Sequence, residues 1–112
     1  MHVLEVKDVT TTLMKSNPPI LVIDAFGTVA TSGWTDGRLE PRFYIDFPAD
    51  GIQDFDFCAT PPSGMTLQVI TPITARIEWD NPPDNLKGVR IHAQTNSMEK
   101  ATSGGADKAL TF

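Results

Sequence analysis

The chain has 112 residues, 40% of them hydrophobic and 21% charged, with a formal net charge of −5 and a sequence pI near 4.7. That length accommodates one domain with its own core, and the composition excludes an intrinsically disordered chain. The nine Lys and Arg are scattered with no three together, which excludes the basic stripe a nucleic-acid binder or an anionic-membrane binder needs.

Val3 to Leu13 is rich in Val and Thr and reads as a strand. Leu4 and Val6 fall on one face and Val9, Thr11 and Leu13 on the other, which predicts a bulge or sheet crossover near Lys7-Asp8. Met14 to Pro19 is a turn by composition. Ile20 to Thr28 is apolar on both faces at its start, as in a strand covered on two sides. If its second face, Ile20 to Phe26, is not covered within the monomer, a symmetric homodimer would bury it.

Thr31 to Gly37 reads as a loop with Trp34 embedded in it, followed by a strand from Arg38 to Phe47. In that run Leu39, Pro41, Phe43, Ile45 and Phe47 alternate with polar residues. Pro41 inside it argues for an edge or a bulge. Pro48 to Gly51 is a turn. Ile52 to Thr60 places Phe55, Phe57 and Ala59 on one face and Asp54 and Asp56 on the other. From Met65 to Trp79 every odd residue but Thr71 is apolar, the clearest period-two signal in the chain. Pro72 divides it into two expected strands. Lys87 to Asn96 is the last, with Val89, Ile91 and Ala93 inside and Arg90, His92 and Gln94 outside.

These elements predict an all-β fold, an antiparallel β-sandwich of about six to eight strands, immunoglobulin-like in architecture. A small closed β-barrel is the other arrangement the pattern admits. The domain is expected to span residues 1–96. Residues 97–112 change composition, with Ser103-Gly104-Gly105 before Leu110 and Phe112, and read as a C-terminal tail that docks on its own sheet or exchanges with a neighbouring chain. Three Pro-Pro pairs stiffen the intervening loops without forming a repeat.

No Gly-rich phosphate loop, His-Glu-x-x-His, Gly-x-Ser-x-Gly or Cys-x-x-Cys occurs, so no cofactor and no catalytic motif is implied. Cys58, the lone cysteine, excludes an internal disulfide and a zinc site built from thiolates. It reads as a small hydrophobe, since no His or Lys nearby in sequence would activate the thiol. Charge at Glu5 interrupts any secretory signal, and no apolar run approaches the ~18 residues that span a bilayer. A soluble protein, cytoplasmic if Met1 is the natural start, is expected.

Asp54 and Asp56, roughly 7 Å apart along one strand face, are calcium candidates by oxygen chemistry alone. They also figure, with Glu78 and His92, in a small acid-based hydrolase reading. The outer faces of three strands offer Arg42, Tyr44, Arg76, Arg90 and His92 as cross-strand ion pairs or as binding residues. Trp34 is either an interface residue presented by a loop or a plug over one end of the sandwich. The function these features favour is a non-catalytic module that binds an unidentified protein partner. A carrier with an apolar cavity in a barrel is the second reading.

Overall fold

The computed structural model describes residues 1–46, 48–83 and 85–102. Among these residues seven strands are divided between two sheets. β1 (Glu5–Met14), β2 (Ile20–Val29) and β5 (Thr71–Asp80) form one in the order β1-β2-β5. β3 (Thr35–Pro41), β4 (Ile52–Thr60), β6 (Gly88–His92) and β7 (Ser97–Ala101) form the other in the order β3-β4-β6-β7. The fold is an all-β sandwich, and no helix occurs among the described residues.

Side chains alternate as the period-two pattern requires. Leu21, Ile23, Ala25 and Val29 of β2 and Phe55, Phe57 and Ala59 of β4 meet Val89 and Ile91 of β6 in one buried core. Burying side chains of this size contributes roughly 1.5–3 kcal/mol each. β1 reaches the core with both Val6 and Val9 because its register shifts between Val6 and Asp8. That is the bulge expected at Lys7-Asp8. The first residues also cross to the other sheet. His2 bridges Cys58, and the Val3 amide donates to the Phe57 carbonyl at 2.9 Å.

One pair is not antiparallel. β4 and β6 run parallel, whereas the sheets of an immunoglobulin domain are antiparallel throughout. A parallel pair needs a crossover, and here the crossover is β5, which lies in the opposite sheet. Among the described residues the two sheets share no hydrogen-bonded ladder, so these strands form a sandwich and not the closed barrel considered above. They do approach at one side, where a Cβ on Gly37 of β3 would overlap the Thr74 carbonyl of β5. Only glycine allows that approach.

Three spans depart from the sequence pattern. The strand expected to reach Phe47 stops at Pro41; Phe43 and Ile45 are 92% and 104% exposed, and Phe47 lies outside the described residues. Of the long run from Met65, only Thr71–Asp80 is a strand. Pro72 does not divide it, because it sits at a position whose N–H would point away from β2. Met65, Leu67 and Val69 face water, and among the described residues no strand pairs with them. Ser97 to Ala101, read from composition as tail, is the edge strand β7. Leu110 and Phe112 lie outside the described residues.

Candidate functional site

β4 carries a column of acids on the outer face of the four-stranded sheet, and neighbouring strands bring cations to it. Register sets Asp54 opposite Arg90 and Asp56 opposite His92. Arg42 grips Asp56 with two N–H groups, Nη2 at 2.9 Å from Oδ1 and Nε at 3.2 Å from Oδ2. His2 Nε2 lies 2.8 Å from the same carboxylate. Asp54 accepts from the Tyr44 hydroxyl at 2.6 Å and from Arg90 Nη1 at 3.2 Å, and His92 Nε2 stands 2.7 Å away. Arg90 also donates to Glu99 Oε1 through Nε and Nη2, at 2.9 and 2.7 Å.

Tyr44 explains how the segment after Pro41 stays at the sheet. Beyond the Arg42 amide, which donates to the Asp54 carbonyl, the phenol oxygen takes over from the backbone and accepts the Asp54 N–H at 3.0 Å. Gln53, on the inner face and only 6% exposed, donates to the Arg42 and Asp54 carbonyls. Burial and the hydrogen bond to Asp54 push the Tyr44 phenol up from its ordinary value.

The carboxylates are held ionised. Arg42 holds Asp56 down to about 2 against the cost of its burial, with help from His2. Burial pushes Asp54 up, but hydrogen bonds from His92 and Tyr44 and the nearby charges of His92 and Arg90 outweigh it and leave it below the usual carboxylate range. Cys58, next in the column, is buried. Burial and the Glu40 carboxylate push its thiol up, which disfavours the reactive thiolate.

Of the residues singled out from sequence, Arg42, Tyr44, Arg90, His92, Asp54 and Asp56 therefore meet on one face, joined by His2, whose place no local pattern reveals. Arg76 does not join them. β5 belongs to the other sheet, and Arg76 instead pairs across strands with Asp24 at 2.8 Å. Glu78 is likewise on that sheet, so the acid set considered for hydrolysis is divided. Trp34 packs against the core and its indole N–H donates to Thr31 Oγ1 at 3.1 Å. No group of three or more His, Cys, Asp or Glu among the described residues is arranged to hold a metal ion; the oxygens of Asp54 and Asp56 face arginines, the tyrosine and histidines instead.

A second feature lies beside this face. β3 ends at Pro41 while β5 continues to Asp80, so the inner side of the last residues of β5 is incompletely covered. The result is an open cleft of about 270 Å³, lined by Pro41, Arg42, Phe43, Gln53, Phe55 and Ile77 to Asp80. Its floor is an edge-to-face pair, Phe55 and Trp79, with ring centroids 6.0 Å apart and planes at 76°. The volume suits one large side chain better than a drug-sized ligand.

The β5 edge above the cleft is open. The Asn81 amide donates to the Pro19 carbonyl, and with the β2–β5 register this makes the odd-numbered residues of β5 the ones bonded to β2. The N–H and C=O groups of Arg76, Glu78 and Asp80 consequently point the other way. β5 pairs with no other strand among the described residues. Pro41, inside an otherwise continuous alternation, is the sequence signal for this shortened β3.

No family model, no curated protein and no solved structure matches the chain.

Proposed function

We propose that this chain is a non-catalytic β-sandwich module that binds an extended peptide segment of a protein partner along the open edge of β5. The carrying observation is the coincidence of that unpaired edge with the apolar cleft over Phe55 and Trp79. In strand addition, main-chain hydrogen bonds give affinity and a pocket for alternate side chains gives specificity. Both elements stand side by side here. The polar face supports the non-catalytic half of the reading: its acids are bound by arginines, Tyr44 and histidines, which leaves no free carboxylate poised as a general base.

The test is a selection of peptides from a randomised display library against the full chain, followed by mapping of the selected peptides by amide shifts. Selected sequences are expected to share one large apolar anchor and to shift the Arg76, Glu78 and Asp80 amides and the Trp79 indole. Peptides that instead map to the Asp54–Asp56 face, or to the loop before β5, overturn the reading.

A further inference from the structure

We infer that the partner at this edge is a second copy of the chain, docked by its own β5 about a two-fold axis at Ile77; the inference rests on the edge-binding reading above. A two-fold axis of this kind sets the two β5 strands antiparallel and uses the same surface on both copies. The open stretch is short. At Thr74 it is occupied by β3, whose Gly37 stands against the Thr74 carbonyl. After Asp80 the strand ends. Between these limits the main-chain groups that point outward are those of Arg76, Glu78 and Asp80, with Ile77 near the middle.

Charge selects the register. With the axis at Ile77, Arg76 lies opposite Glu78 of the second copy, and Glu78 opposite its Arg76. Each such pair exchanges two main-chain hydrogen bonds. The side chains concerned share the outer face of the sheet, where opposite charges across strands attract. Arg76 already holds Asp24 through Nε and Nη2, at 2.8 and 3.3 Å. That grip fixes the guanidinium over the strand and leaves Nη1 for a second carboxylate. Moving the axis to Arg76 or to Glu78 sets like charges directly opposite each other, which is destabilising.

The inner face agrees with the same register. Ile77 packs partly buried against the core and lines the cleft. It meets Ile77 of the second copy at a non-hydrogen-bonded position, where side chains approach most closely. Each isoleucine is then the apolar side chain that the other copy's cleft receives. The pairing joins two three-stranded sheets into one continuous sheet. A contact one strand wide falls below the ~1,200 Å² of a standard interface, so the dimer is weak and depends on concentration.

The test is sedimentation of the full chain over a concentration series, beside the variants Glu78→Arg and Arg76→Glu. The unsubstituted chain is expected to pass from monomer to dimer as concentration rises, with the Arg76 and Glu78 amides gaining protection. Either substitution alone puts like charges at both paired positions and should weaken the dimer about tenfold or more. Mixed in equal amounts, the two variants regain opposite charges at both positions and should pair about as tightly as the unsubstituted chain. Ile77→Cys reads the axis without a charge change: oxidised glutathione should link two copies through residue 77. A dimer that Glu78→Arg leaves intact, a mixture no tighter than its components, or no link at residue 77 overturns the inference. A chain that stays monomeric while library-selected peptides shift its β5 amides overturns this inference alone and leaves the edge-binding reading standing. An edge that takes neither peptide nor second copy overturns both.

Discussion

Asp56 stands between Arg42 and His2, and its folded pKa of about 2 lies below the ordinary carboxylate value of 3.8. A depressed carboxylate contributes stability that is present above the unfolded pKa and lost as pH falls through the folded one. Asp56→Asn should therefore cost about 1–2 kcal/mol at pH 7, discounted because Arg42 is half exposed. The gap to the unsubstituted chain should close between about pH 4 and pH 2. Urea denaturation across that range measures it, and a gap independent of pH would remove the Arg42–Asp56 pair as its cause. A second prediction at this scale concerns Trp34. Packed on the core and bonded to Thr31, it should cost about 2–4 kcal/mol when replaced by Ala. Thermal denaturation would reveal this as a lowered midpoint; an unchanged midpoint would return Trp34 to the role of a displayed contact residue.

Elements rather than residues explain what the sequence makes legible. Alternation is visible wherever one face of a strand is buried, so the inner and outer sides of Ile52–Thr60, and of Lys87–Asn96 as far as His92, are legible in the sequence. Asp54, Asp56, Arg90 and His92 follow directly from that parity. Alternation alone does not say whether a partner strand exists. Phe43 and Ile45 alternate correctly and still face water, because Pro41 ends the ladder and the Tyr44 hydroxyl replaces it. Nor does parity say which strands are neighbours, and so it groups Arg76 with arginines that lie on another sheet. The β3–β5 junction tests this level of organisation. Gly37→Ala places a methyl against the Thr74 carbonyl and must push the sheets apart, at about 1–3 kcal/mol. Melting temperature should fall, and Ile73, which packs at the same junction, should become more accessible. A neutral Gly37→Ala would mean the two edges are not held in contact.

Across the whole molecule, apolar surface is divided unequally between the inter-sheet core and the two ends. Ile23 is fully buried, whereas Met65 is 104% and Leu67 71% exposed, with Val69 and Ile70 also open to water. The loop bearing these four side chains is held by polar bonds instead: the Ser32 amide donates to the Leu67 carbonyl at 3.1 Å, and the Leu67 amide to Ser32 Oγ at 2.9 Å. If stability resides in the meeting of the sheets, the four loop side chains contribute little to it. Replacing all four by Ser should change unfolding free energy by less than about 1 kcal/mol, as for other surface positions, while the single change Ile23→Ala should cost about 2–5 kcal/mol. Exposed apolar side chains grouped in one loop promote association, so the four-Ser chain should also sediment as a smaller species wherever the unsubstituted chain self-associates beyond a dimer. Denaturant titration and sedimentation on the same samples separate the two effects. A four-Ser chain as unstable as Ile23→Ala would place the loop inside the packed core and contradict the division of surface that the two sheets impose.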